Sequence, residues 1–153
     1  HSYIAPGTRN SELLGLNDLA ATFYALLGKQ RLPGQTNDSK SFLPVLLGQQ
    51  LADTPYREHL IIQGSPPSAN GTDLTDRAFY KHAANGDLWK LTVISDSTDP
   101  LANLDWHELY NLSADPGETN DLLEASEQQA LLQAMQAEYR TLLSQPQTIA
   151  NWK

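Results

Sequence analysis

"RAFYKHAANGDLWKLTVI", residues Arg77 to Ile94, is the stretch on which the fold turns. Arg77 to Ala83 and Leu88 to Ile94 are two strand-forming runs, and Asn85-Gly86 stands between them. Asn-Gly readily supplies the positive φ values of a tight hairpin turn, so the pattern predicts two antiparallel strands. Outward from this hairpin, His59 to Gln63 reads as a mostly buried strand on one side. On the other, His107 to Leu112 reads as a fourth strand. Further on, Ser126-x-x-Gln129 resembles a capping box. Leu131, Leu132, Met135, Tyr139, Leu142 and Leu143 then make one apolar stripe at helical spacing, closed by Pro146. A sheet that is apolar on one face needs a cover, and this helix has the stripe to provide it. The expected class is α+β, a four-stranded antiparallel sheet packed against a long C-terminal helix.

The first third has a different character. Asn17-Asp18 is placed to cap a helix by accepting from its free N–H groups. Leu19, Phe23, Leu26 and Leu27 follow at helical spacing, and Gly28 is a natural stop. Residues 29 to 40 read as a loop around Pro33-Gly34. Ser41 is placed to cap a short helix with Pro44 in its first turn and Gly48 at its end. The composition changes after about residue 52, which suggests a division into residues 1–51 and 52–153.

Bulk properties exclude several roles. The formal charge is −8 and the ten Lys and Arg are scattered, so no basic stripe offers itself to nucleic acid or an anionic membrane. No run is long and apolar enough to span a bilayer. With no cysteine, the chain has neither a thiolate metal site nor a Cys nucleophile.

Motifs of catalysis are missing as well. His1, His59, His82 and His107 show no metal-binding spacing. Asp96-x-Thr98-x-Pro100 opens like a calcium loop but lacks the later ligands and the glycine. There is no nucleophile elbow, Walker loop or dinucleotide fingerprint. The acidic cluster Asp115, Glu118 and Asp121 fits turn and helix-start chemistry better than acid–base work.

That cluster lies in "ELYNLSADPGETNDLL", Glu108 to Leu123. As local chemistry, Asp115-Pro116-Gly117-Glu118 makes a good turn. The whole run resembles the near-C-terminal signature of the sulfatases (arylsulfatase type, alkaline phosphatase-like superfamily), E-L-Y-D-L-x-x-D-P-x-E-x-x-N-L. Asn111 replaces the usual Asp, and Asp121 stands where Leu is commoner. "NDLAATFYALLG" (Asn17 to Gly28) is similar to the family's D-L-x-P-T-x-x-x-L-x-G helix, with Ala21 in place of Pro. "DSKSFLPVLLG" (Asp38 to Gly48) is similar to its D-G-x-S-L-x-P-x-L-x-G segment. "NGDLWKL" (Asn85 to Leu91) is similar to G-D-W-K-L, with Leu88 inserted. The four occur in the family's order and cover nearly the whole chain.

The resemblance implies the C-terminal portion of a sulfatase. Residues 1–51 would be the helical closing segment of a larger α/β domain, and 52–153 the sheet-and-helix subdomain. Leu19, Phe23, Leu26 and Leu27 would face apolar surface outside this chain. The implied parent hydrolyses sulfate esters with a formylglycine nucleophile and a divalent cation, commonly calcium, in a Lewis-acid role. No catalytic, cofactor-binding or metal residue of that machinery maps onto this sequence. Ser65-Pro66-Pro67-Ser68-Ala69 is the nearest approach to the formylglycine motif, with Ala69 in place of its Arg and the wrong position in the order. The implied partners are the N-terminal catalytic part of the same protein and, for the parent, a sulfate-ester substrate. The loop Gly64 to Asp76 is expected to edge the substrate cleft, with Gln63, Asn70 and Lys81 on its rim. Family members are often exported or lysosomal, which is all that the resemblance implies about location. Two other readings stay open: a stand-alone binding module for protein or carbohydrate, and the equivalent part of a phosphate- or phosphonate-ester hydrolase.

Overall fold

The structure, a computed structural model, describes residues 4, 6–30, 38–49, 55–64 and 74–144. In chain order these hold α1 (Asp18–Leu26), α2 (Leu43–Leu46), β1 (His59–Gln63), β2 (Leu74–His82), β3 (Leu88–Asp96), β4 (Asp105–Asn111), a 3-10 turn (Ser126–Gln128) and α3 (Gln129–Ser144). They fall into two compact units that divide between Leu60 and Ile61. The expected boundary after residue 51 lies outside the described residues.

The sheet has the order β1-β2-β3-β4. The β2–β3 and β3–β4 pairs are antiparallel. Alternation along β3 explains the layer: Trp89, Leu91, Val93 and Ser95 are buried and the residues between them are not. A period of two puts those four on one face. Phe79 pairs with Leu91 and Leu109 with Leu91 from the other side, so the same face continues across the sheet. Against it lie Leu132, Met135 and Tyr139 of α3, completing one apolar core. The α+β arrangement read from the sequence is the one the chain adopts.

One irregularity adjusts this face. Between Thr92 and Val93 the β3–β4 register shifts, so that Thr92 pairs with Glu108 and Val93 with Trp106. His107 is the extra residue of a β-bulge. Without the bulge, Trp106 would point away from the core. With it, the indole meets Tyr139 edge-on at 5.5 Å and 83°, and Tyr139 meets Phe79 at 5.8 Å and 62°.

Three local expectations are corrected. The hairpin loop has three residues, since Ala83 N–H donates to the Asp87 carbonyl and Gly86 N–H to that of Ala83. Only Gly86 takes a positive φ, +88°, and Asn85 does not. This is a type I turn followed by one left-handed residue. Asn85 accepts instead from Asp87 N–H at 3.1 Å and donates to its carboxylate at 2.9 Å. Second, Ser126 and Gln129 form no capping box. Gln129 donates its amide to the carbonyls of Leu123 and Ala125, and a 3-10 turn leads into α3. Third, Asn17 does not cap α1, because its backbone is already helical. Ser39, eighteen residues after Ala21, does that work: its Oγ accepts from Ala21 N–H at 2.9 Å.

The C-terminal ends of α1 and α2 follow expectation, while Pro146, expected to close α3, lies outside the described residues. Gly28 (φ +62°) and Gly48 (φ +66°) stand just past α1 and α2. Lys29 N–H reaches back to the Tyr24 carbonyl and Gln49 N–H to that of Pro44. Both are Schellman closures, in which glycine takes the left-handed position.

Candidate functional site

Glu108 to Leu123 is a clasp that ties the end of β4 to the rest of the sheet. Asp115 accepts from the N–H groups of Thr119 (2.8 Å) and Asn120 (2.9 Å) and from the Thr119 hydroxyl (3.1 Å). These bonds, the Asn120 N–H foremost, hold its carboxyl below the usual carboxylate range. Asp121 accepts from Leu109 N–H at 2.9 Å and Leu123 N–H at 3.0 Å, while Leu122 N–H donates to the Leu109 carbonyl. The free edge of β4 is therefore covered at Leu109, which removes a site of strand-to-strand aggregation.

The remaining positions of the stretch work in the same way. Asn111 accepts from Ser113 and Ala114 N–H and donates to Asp87 in the hairpin loop at 3.1 Å. Ser113 accepts from Leu88 N–H at 2.9 Å. Glu118 sits at φ +54°, an uncommon conformation for a residue with a Cβ, and pairs with Lys90 of β3 at 2.5 Å. Lys90 also lies 5.8 Å from the Tyr110 ring centroid. The acidic residues thus satisfy backbone donors and one lysine.

Of the expected rim residues, the described ones, Gln63 and Lys81, lie apart on β1 and β2. Gln63 is exposed at the end of β1, next to Gly64, whose N–H donates to the Asp76 carbonyl at 2.8 Å. Lys81 lies five residues beyond Asp76 on β2, on the order of 15 Å away at the strand rise. Its ammonium pairs with Glu138 of α3, so its charge is engaged within the sheet-and-helix layer. Asn70, most of the loop Gly64 to Asp76, and Ser65 to Ala69 lie outside the described residues.

A second polar centre, in the first unit, was not legible in the sequence. Asp18 is fully buried. Its carboxylate accepts from Gly15 N–H at 3.0 Å and Lys40 N–H at 2.8 Å and pairs with the Arg57 guanidinium. Thr22, also buried, donates to the Asp18 carbonyl and accepts from Phe42 N–H at 3.0 Å. Tyr56 donates to the Lys40 carbonyl and lies under the Lys40 ammonium, 4.6 Å from its ring centroid. Burial, with the nearby Asp18 charge second, pushes the Tyr56 hydroxyl up to about 12. The network fastens α1, the 38–42 segment and the lead into β1. Most of its residues lie in the segments Asn17 to Gly28 and Asp38 to Gly48, but nothing in either segment pairs it with the other or with Arg57.

Among the described residues no group of three or more His, Asp or Glu is arranged to hold a metal ion. His107 is half exposed, with Nδ1 3.7 Å from Asp105. His82 Nδ1 faces the Gly86 carbonyl at 3.3 Å. The chain has no cysteine, and so no cysteine precursor of formylglycine.

No protein-family model and no curated protein sequence matches this chain. Among solved structures, it is similar to that of BT4656 in complex with its substrate D-glucosamine-2-N,6-O-disulfate. The TM-score is 0.52, with 21% identity over 88% of this chain and 25% of that one. The chain thus shares its fold with part of a protein that takes a sulfated sugar, and spans a quarter of that protein's length.

Proposed function

We propose that this chain is the C-terminal part of a sulfatase, structural and pocket-shaping in its own right, and that hydrolysis of the sulfate ester takes place on the preceding part of the polypeptide. The observation that carries the reading is the likeness, over 88% of the chain, to a quarter of a protein whose substrate is a disulfated glucosamine. The clasp at Glu108 to Leu123 supports it, since the positions that match the sulfatase signature are those that fix the end of the sheet. In this reading the division falls between residues 1–51, closing a larger α/β domain, and 52–153. The loop Gly64 to Asp76 edges the substrate cleft, with Gln63 and Asn70 on its rim. Lys81, committed to Glu138, holds the layer behind it.

The test begins with the reading frame upstream of the His1 codon. The reading expects a domain-sized segment with a Cys- or Ser-based formylglycine motif. The longer polypeptide should hydrolyse an aryl sulfate in a calcium-dependent way, and the 153-residue chain should not. Turnover by the chain alone, or an upstream frame with no such motif, overturns the proposal. Preference of the longer polypeptide for a phosphate or phosphonate ester over the sulfate would move it to the related hydrolases.

A further inference from the structure

The tip of the β2–β3 hairpin carries a reactive pair. Ala84, Asn85 and Gly86 are exposed, and Gly86 leaves open space where a side chain would stand. An asparagine carboxamide lies within reach of the next residue's backbone nitrogen, and attack closes a five-membered ring. Glycine as that next residue has no Cβ to hinder the approach. The loop adds to what the dipeptide offers. Asp87 holds both ends of the Asn85 carboxamide: its N–H donates to Oδ1 at 3.1 Å and its carboxylate accepts from Nδ2 at 2.9 Å. The first contact sits where negative charge collects when the carbonyl carbon is attacked, as an oxyanion donor does. Together they fix the carboxamide beside the Gly86 nitrogen, an advantage of orientation. Against the reaction stands the bond from Gly86 N–H to the Ala83 carbonyl at 2.9 Å, at an exposed tip where local opening is easy.

We propose that Asn85 is a site of spontaneous deamidation in the folded chain, promoted by Asp87, and that the change loosens the hairpin loop from the clasp. The Gly86 nitrogen loses its proton to hydroxide and bonds to Asn85 Cγ. The Cγ–Nδ2 bond breaks, and Nδ2 leaves as ammonia with a proton from water. Water then opens the succinimide at either carbonyl, giving aspartate or isoaspartate. The consequence follows from the same contacts. Asp87 Oδ2 accepts from Asn85 and also from Asn111 Nδ2 at 3.1 Å, and Asn111 belongs to the clasp. A carboxylate at position 85 replaces the first donor with a like charge. Isoaspartate also adds a methylene to the backbone between Ala83 and Asp87, whose mutual bond at 2.8 Å closes the loop. Below it β2 and β3 stay paired from His82–Leu88 to Leu74–Asp96, so the change is confined to the tip and to what the tip holds.

The experiment ages the folded chain, its Asp87→Ser variant and synthetic peptides of residues 82–90 with either residue, all in mildly alkaline buffer. Trypsin releases residues 82–90 apart from the chain's other Asn-Gly pair, Asn70-Gly71. Mass spectrometry reads the change from amide to acid, and electron-transfer fragmentation separates isoaspartate from aspartate. Asn85 in the folded chain should convert at least as fast as in the peptide. Asp87→Ser should slow the folded chain several-fold and the peptide hardly at all. A folded chain that converts much more slowly than its peptide overturns the site, because the Ala83 bond then protects it. A folded Asp87→Ser chain that converts as fast as the parent, or faster, overturns the part given to Asp87. For the consequence, Asn85→Asp in fresh protein stands in for the product. It should exchange the amides of Ser113 and Ala114, which Asn111 Oδ1 holds, several-fold faster than the parent. Unchanged protection there overturns the coupling to the clasp.

Discussion

Asp115, in the stretch that resembles a family signature, has a structural task. Its carboxylate is the acceptor for two backbone N–H groups and one hydroxyl, and those bonds hold its pKa down. A carboxyl whose folded pKa is depressed contributes stability that is present above its unfolded pKa and lost as pH falls through the folded one. Asp115→Asn should therefore melt below the parent at neutral pH, and the gap should close in acid. Melting curves of both proteins across that range check it, and a gap independent of pH would mean that the charge is irrelevant. Gly86 makes the complementary case for backbone. Its φ is +88°, and a Cβ there would meet nothing within 4 Å. Gly86→Ala should cost about 1 kcal/mol through conformation alone, measurable by urea unfolding. A cost near zero would show the loop relaxing into another turn.

At the scale of elements, the central packing unit is Tyr139 on α3, fully buried between Phe79 and Trp106. Its hydroxyl is buried beside Arg77 and Ser95 without a well-formed bond to either. Removing an unpaired hydroxyl and removing a packed ring have different consequences. Tyr139→Phe should change stability by less than ~1 kcal/mol, while Tyr139→Ala should cost about 3–5 kcal/mol through the cavity it leaves. A large loss in the Phe variant would mean that the hydroxyl makes a strong bond after all. Elements of this kind were legible in advance. The apolar stripe of α3, the alternation of β3 and the helix-ending glycines each follow from one local period or one backbone requirement. What stayed hidden was set by partners distant in the chain. Ser39 caps α1 from eighteen residues away, the β4 bulge answers to the position of Tyr139, and Asp18 turned from an expected cap into a buried hub. The hairpin loop failed for a subtler reason: Asn-Gly fits two turn types, and the hydrogen bonds to Ala83 and Asp87 decided between them. At the candidate rim, residue type alone suggested Lys81, and only the fold places Glu138 against it.

On the scale of the whole molecule, the two units are held by different forces. The unit from Ile61 onward has a continuous apolar core of Phe79, Trp89, Leu91, Val93, Leu109, Leu132, Met135 and Tyr139. In the first unit the buried apolar residues among those described are Ala21, Val45, Tyr56 and Leu60, beside the polar Asp18, Thr22 and Ser39. Burial of apolar surface is the dominant favourable term in folding, whereas a hydrogen bond exchanges one partner for water and contributes about 1 kcal/mol net. A buried ion pair such as Asp18–Arg57 also bears a desolvation cost that offsets much of its attraction. The first unit should therefore open at a lower free energy than the second, as sub-global units with few apolar contacts do. Amide hydrogen exchange on the chain alone is the measurement. Amides of β2, β3 and α3 should exchange only through global unfolding, and those of α1 much sooner. Exchange in α1 as slow as in β3 would mean that the polar network holds the first unit as firmly as the apolar core holds the second.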